Sequence, residues 1–298
     1  MTVNDLLIWC ARKGPTAGLR KSAFKRFSRR NAGKQMTVLC RDGFRMNTVI
    51  GDNVDRKIAV YGLFERDTTE IVSRLSSEVA CFLDVGCNIG YFSCLFAARQ
   101  PEKPLVALDP NPAMVERTTQ NLELNHASNW EVLTCGIGEA TGTLTLNIPR
   151  QRHSLSSFAY AATRGGVNDG VQARIRTLDE ILAEHDLQDS LVKIDTEGFE
   201  CKVFRGLSRG LAETIRFAIC ELSSSHMQQA GDTVEQMLSL PAMGAFDIHL
   251  IKEEDEVVLE RTRPEDLRAR DTVKENVLLV RKDIPWAAVA GRTGLHCR

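Results

Sequence analysis

From residue 79 onward, short apolar runs alternate with helix-patterned segments, and this alternation constrains the fold more than any other feature of the chain. Strand-type runs fall at 79–85, 105–109, 131–135, 191–195 and 215–221, with helical patterns between them at 89–99, 112–125, 177–185 and 198–205. Runs that are apolar on both faces have to be covered on both faces, which specifies a mostly parallel sheet with helices on either side. Two further strands, 142–148 and 171–176, bracket a polar loop at 149–170, while 246–251 and 276–281 are placed to close the sheet. With 298 residues, 43% of them hydrophobic, the chain is long enough for one such α/β domain to bury a full core.

The formal net charge of −1 excludes a globally basic or acidic protein. Locally the balance fails. From Arg12 to Arg45 eleven basic residues face a single acid, Asp42. Leu19, Ala23 and Phe27 recur at every fourth position there, which gives a helix one narrow apolar face. Such a segment reads either as a basic amphipathic helix resting on anionic lipid or nucleic acid, or as a solvated helix packed by that stripe. Three apolar positions favour the second reading. Residues 36–40 and 44–50 flank Arg41-Asp42-Gly43, a hairpin signal, and a helix is expected over 67–76. The organisation expected is a basic extension with a hairpin over 1–60, the α/β domain over 61–284, and a tail over 285–298.

The longest uncharged stretch, 85–98, has 14 residues, short of the roughly 18–20 of a membrane span. The first residues lack the apolar run of a secretory signal. Nine cysteines without Cys-x-x-Cys spacing, several of them (Cys81, Cys94, Cys135, Cys220) inside apolar runs, read as reduced core residues. A cytoplasmic location follows as the expectation, with peripheral contact to the inner face of a membrane through residues 12–45 as its extension.

The most informative segment is the strand, loop and helix start from Phe82 to Phe92. In open α/β sheets ligands bind outside the carboxyl ends of the strands. A dinucleotide fingerprint would need glycines where this chain has Asn88 and Tyr91. The pattern is instead Asp84-x-Gly86-x-Asn88-x-Gly90, which resembles the acidic glycine-rich loop of S-adenosylmethionine-dependent methyltransferases. Asn is the non-glycine residue that best tolerates a left-handed backbone at the middle position. Asp109 ends the second strand, 23 residues after Gly86, where an acid would accept both hydroxyls of a ribose; it could equally cap the next helix. Asp84 is placed to receive the methionine ammonium, directly or through water.

A second motif follows the fourth strand: Lys193-Ile-Asp195-Thr-Glu197-Gly-Phe-Glu200. Lys193 and Asp195 share a strand face, and Glu197 and Glu200 share the start of a helix. An acidic cluster beside a ligand site is expensive to keep charged, although helix capping plus one internal ion pair would also account for it. Taken in order, the Asp84–Ser93 loop, Asp109-Pro-Asn-Pro112, Asn121-Leu-Glu-Leu-Asn125, Thr177-Leu-Asp179 and the Lys193–Glu200 string resemble the FkbM-type methyltransferases, with Gly62-Leu-Phe-Glu65 as an upstream element. The resemblance covers about residues 62–221. It implies a class I, Rossmann-like fold with a seven-stranded sheet, S-adenosyl-L-methionine as donor, and O-methylation of a small-molecule or glycan acceptor of the macrolide or sugar type. Gly86, Asn88, Gly90 and Asp109 would hold the cofactor, with Glu65 at its methionine end, and Asp195 and Glu197 would face the methyl group.

An alcohol is a poor nucleophile until its proton leaves, so a general base is expected. Asp195 or Glu197 is the candidate, with Lys193 beside them, loop 149–170 over the acceptor and His153 as a second candidate base. Asp195 and Glu197 could also ligate magnesium, but no third acid has a spacing that demands it, and no metal is assigned. Two rivals stand beside this reading. One is a nucleic-acid methyltransferase using the basic segment, which the carboxylates disfavour. The other is a scaffold that kept the fold without the chemistry.

Overall fold

The computed structural model describes residues 2–148, 169–253, 256–270 and 272–298. Helices α1 (Val3–Lys13) and α2 (Ala17–Arg30) lead into a hairpin, β1 (Gln35–Leu39) and β2 (Arg45–Val49), then α3 (Asn53–Tyr61) and α4 (Arg66–Leu75). The alternating region follows as β3 (Cys81–Val85), α5 (Tyr91–Arg99), β4 (Leu105–Asp109), α6 (Pro112–Leu124) and β5 (Trp130–Thr134). Strands β6 (Gly136–Ile137), β7 (Gly142–Ile148) and β8 (Asp169–Arg176) form a small separate sheet. Next come α7 (Leu178–Glu184), β9 (Ser190–Ile194), α8 (Glu200–Arg205), α9 (Arg209–Ala212), β10 (Ile215–Ser223), α10 (Ser224–Gln229) and α11 (Val234–Leu238). The chain closes with β11 (Phe246–Glu253), β12 (Val257–Thr262), α12 (Pro264–Arg268), β13 (Lys274–Arg281), α13 (Trp286–Thr293) and β14 (His296–Cys297).

The large sheet runs β14-β12-β11-β13-β10-β9-β3-β4-β5. Strands β3, β4, β5, β9 and β10 are parallel, and β13 and β11 close the sheet antiparallel. Every residue of β3, β4 and β9 is buried, as the apolar runs require. Alternation along β3 sends Leu83 and Val85 to one core layer and Phe82 to the other. The chain steps outward from β3 to β4 and β5, then returns to place β9 on the other side of β3. Strand order therefore reverses between β3 and β9, and a crevice opens at their carboxyl ends. This is the doubly wound α/β arrangement expected of a class I methyltransferase.

Two expectations need correction. The sheet has nine strands among the described residues rather than seven, because β12 and β14 extend the edge beyond β11. Residues 285–298 are no free tail: β14 pairs with β12, Val289 and Leu295 are buried, and Trp286 meets the rings of Phe217 and His249. A strand as short as β14 carries no signal of its own until the edge of β12 gives it a partner. No helix among the described residues is long and apolar enough to cross a membrane. Residues 149–168 of the expected acceptor loop, His153 included, lie outside the described residues, whereas Asp169 and Gly170 begin β8.

In the extension, the basic segment is broken at Gly14-Pro15 into α1 and α2, each started by a threonine cap, Thr2 and Thr16. Ala23 and Phe27 are buried against Ala11, Ile50, Ala59 and Val60, so most of the predicted stripe faces inward; Leu19 remains exposed. The hairpin is seated on α6. Asn121 and Asn125 accept the backbone N–H groups of Asn47 and Arg45 at 2.8 and 2.7 Å, and Arg117 holds Asp55 at 2.6 Å. The boundary drawn at residue 60 thus falls inside α3, whose one end belongs to the extension and whose other end faces the crevice.

Candidate functional site

The loop after β3 is shaped by two close approaches. Gly86 has φ +77°, and a Cβ there would lie 2.0 Å from the carbonyl oxygen of Asp195, so only glycine lets the ends of β3 and β9 meet. Asn88 adopts φ 52°, and its backbone N–H donates to Asp109 Oδ2 at 3.1 Å while that of Asn111 donates to Oδ1 at 2.9 Å. A carboxylate offers about four acceptor positions, so Asp109 keeps two for a diol. The cap of α6 is Asn111, which accepts from the Ala113 N–H, and Asp109 is left to fix the turn and line the crevice. Burial pushes its carboxyl up to about 7 despite those two hydrogen bonds.

Two residues expected at the cofactor lie behind the crevice wall. Gly90, at φ +77°, lets α5 pack on α6: a Cβ would come within 2.7 Å of a Thr118 methyl. Asp84 is fully buried, accepts from the Ser93 hydroxyl at 2.6 Å, and lies 4.0 Å from Lys193 Nζ. It supports the lysine from below and does not face the cavity.

The cavity, of about 620 Å³, is lined by Asp109 and by an acidic cluster of Glu65, Asp195, Glu197 and Glu221. Lys193 Nζ lies 3.2 Å from Asp195 Oδ2 and 5.1 Å above the Phe92 ring. Burial alone would strip its proton, but the carboxylates of Asp195, Asp84 and Glu65 hold its proton affinity above the ordinary lysine range. Glu65 is pushed up to about 7 by burial and by Asp195, opposed by Lys193 and Lys57. Glu197, at φ 51°, rises further, to about 8, through burial and the charges of Asp195, Glu221 and Glu200.

Glu200 has a different task. Its Oε1 accepts from the backbone and hydroxyl of Thr196, both at 2.9 Å, and from the Gly198 N–H at 3.2 Å, locking the loop that aims Asp195 and Glu197. Gly198, at φ +103°, lets this loop lie against His226, whose carbonyl oxygen would be 2.5 Å from a Cβ. His226 Nδ1 stands 3.8 Å from Glu197 and 3.9 Å from Glu221. Capping and one ion pair therefore explain Glu200 and the Lys193–Asp195 contact. Glu65, Glu197 and Glu221 also line the cavity, the last two beside His226.

Sequence reasoning overlooked Glu221, His226 and the wall supplied by α3, including Asn53, Arg56 and Lys57. Glu221 was within reach of the strand-end rule, since it follows the fifth parallel run, and His226 lies just beyond it. Helix α3 had no local signal, because the Arg117–Asp55 pair that anchors it joins residues 62 apart in sequence. Among the described residues, no group of three or more His, Cys, Asp or Glu is arranged to hold a metal ion.

An acid after the second strand, a glycine-edged loop after the first and an acidic loop after the fourth gather at the switch point of this sheet, as expected of an S-adenosylmethionine-dependent methyltransferase. The Methyltransferase FkbM domain family matches residues 84–245, more than half the chain, and the protein belongs to that family. The methyltransferase sdnD of Sordaria araneosa is 27% identical over 167 residues, which cover 47% of this chain and 64% of that protein. This chain thus spans less than two thirds of that relative's length. The hexuronic acid methyltransferase AglP of Haloferax volcanii is 25% identical over 198 residues, covering 65% of this chain and 76% of its own. Among solved structures, an FkbM methyltransferase from Methylobacillus flagellatus aligns with 91% of this chain and 60% of its own, at 15% identity and a TM-score of 0.38.

Proposed function

We propose that the protein is an O-methyltransferase acting on a hydroxyl of a sugar-type or polyketide-like acceptor, with Glu197 as general base. The observation that carries this reading is the carboxyl of Glu197, exposed to the cavity and raised to about 8 by burial and neighbouring acids. A base is most useful when its proton affinity lies near the working pH. The sugar side of the proposal draws support from the hexuronic acid methyltransferase relative.

The residues present fit the family's donor. Asp109 keeps two acceptor positions for the ribose hydroxyls, the Gly86 turn leaves room for a chain passing over β3, and Glu65 offers a carboxylate for the ammonium. When bound, S-adenosylmethionine supplies an electrophilic methyl group. Lys193 holds Asp195 in an ion pair at 3.2 Å, so that Asp195 orients the acceptor hydroxyl while Glu197 takes its proton. Much of the rate then comes from positioning. A polyphosphate acceptor such as nucleic acid would meet four carboxylates at the same wall, Glu65, Asp195, Glu197 and Glu221.

The test is donor-dependent release of S-adenosylhomocysteine with glycosides, hexuronides and polyketide alcohols. We expect turnover with a hydroxyl acceptor and a fall of about 10²–10⁴-fold in Glu197→Gln, with the donor-induced rise in thermal midpoint retained. Methylation of nitrogen, or undiminished turnover in Glu197→Gln, would overturn the assignment. A donor-induced shift with no turnover on any acceptor class would favour the scaffold reading.

A further inference from the structure

Six large hydrophobic side chains are exposed among the described residues, and five of them lie within the first 39 positions: Val3, Leu6, Trp9, Leu19 and Leu39. Three recur at intervals of three along α1, with Val3 55%, Leu6 44% and Trp9 54% exposed. Residues three and four apart share a helix face. Trp9 therefore stands beside Leu6 on one side and beside Arg12 and Lys13 on the other. All eleven cations from Arg12 to Arg45 are exposed, and their one acidic neighbour in sequence, Asp42, is engaged by Arg99. None of the eleven is ion-paired among the described residues.

The cations also converge. Between the end of α1, the hairpin and the end of α3 lies a notch of about 480 Å³, lined by Arg12, Lys13, Leu39, Arg41, Tyr61 and Gly62, with no acid in its wall. Leu39 at its rim is 67% exposed. The Arg12 guanidinium donates to the Val60 carbonyl and is held below the usual arginine range by burial and by the nearby Arg41. Like charges gathered around a concavity are relieved by an anion.

We infer that α1, α2 and the notch form a docking surface for an anionic lipid membrane, with Leu6 and Trp9 entering the interface and headgroup phosphates seated among Arg12, Lys13 and Arg41. Exposed Trp and Leu beside a row of Lys and Arg is the pattern of helices that lie in a bilayer surface, the rings at headgroup depth and the cations on the phosphates. Charge alone would suit a nucleic acid equally well; the unpaired apolar row beside it suits lipid. The stripe Leu19, Ala23, Phe27 has no part in this, since its buried members hold α2 to the body of the protein. The inference is independent of the methyl-transfer reading, because docking needs neither donor nor acceptor.

Flotation of the full chain with phosphatidylcholine vesicles, with and without phosphatidylglycerol, tests it. We expect binding to the phosphatidylglycerol vesicles only. The apparent dissociation constant should rise at least about tenfold, or 1.4 kcal/mol, in Leu6→Ala/Trp9→Ala and again in Arg12→Ala/Arg41→Ala, with thermal midpoints near that of the parent. Three outcomes would overturn the inference. Vesicle binding could be absent or indifferent to charge and to Leu6 and Trp9. Single-stranded RNA could bind in place of vesicles, with a steep salt dependence that ignores the Leu6/Trp9 change. Sedimentation could show a dimer that the same change dissociates, which would make a second copy the occupant.

Discussion

The crevice and the extension each gather like charges, and the two regions treat them oppositely. Around β9 and β10 the charges are carboxylates set half-buried in the cavity wall, where water screens them poorly, and their proton affinities move: Glu65 to about 7 and Glu197 to about 8. Along α1 and α2 the charges are cations and they are exposed, with solvent and salt to separate them. Burial converts crowding into altered acid–base chemistry. Exposure leaves it as a field that attracts a partner. Crowded like charge therefore shifts proton affinities in one region and stays open to solvent in the other.

The sharpest way to break this contrast is Lys193→Met. It removes the buried cation of the acidic cluster and leaves buried Asp84 without its opposite charge. A loss of about 3–5 kcal/mol is expected, read from urea unfolding, and a stable variant would mean that the cluster is better hydrated than its burial implies. Gly86→Ala comes next. Its Cβ would strike the Asp195 carbonyl from a backbone at φ +77°, and the expected cost is about 3 kcal/mol. Parent-like stability there would show that β3 and β9 can separate.

The pH dependence gives a smaller effect with a definite sign. Glu65, Glu197 and Asp109 hold protons more tightly in the folded chain than their ordinary values of 4.5, 4.5 and 3.8. Between about pH 4 and pH 8 the folded state thus carries more protons than the unfolded one, and stability falls as pH rises through that window. Each fully shifted group contributes at most about 1.4 kcal/mol per pH unit. The midpoint of the ligand-free protein should drop between pH 6 and pH 8, and Glu197→Gln should flatten the drop. With Glu197 as the proposed base, activity should run the other way, rising toward pH 8 as Glu197 ionises. Smallest of all, Lys25→Ala/Arg29→Ala on the exposed face of α2 should leave stability within about 0.5 kcal/mol and turnover on a soluble acceptor unchanged. A large change would mean that the surface cations do structural work.

How much of this was legible depended on whether the information is local. Strands β3, β4, β9 and β10 were readable because full burial demands apolar runs, and Gly86, Asp109, Asp195 and Glu197 because strand ends place them. Asp84 and Gly90 belong to the same motif but serve the lysine and the α5–α6 contact, a division of labour that spacing cannot reveal. Edge strands β12 and β14 and the α3 wall arise from pairings between distant segments. Trp9 showed the reverse problem. In the sequence it is one aromatic among apolar neighbours, and only the packing of α1 against α2 and α3 decides that it faces outward.

Helix α3 touches both regions. Its N-terminal residues line the crevice, and Tyr61 with Gly62 lines the notch, so nine residues, or roughly 13 Å of helix, separate the two openings. The Arg117–Asp55 pair ties the crevice end of this short helix to α6. If the helix moves as one body, a ligand in either opening can bias the other. By linkage, a lipid that tightens acceptor binding by some factor must itself be held more tightly by the same factor once the acceptor is in place. If both the proposed membrane docking and such coupling hold, the enzyme would linger on those patches of membrane where its acceptor is.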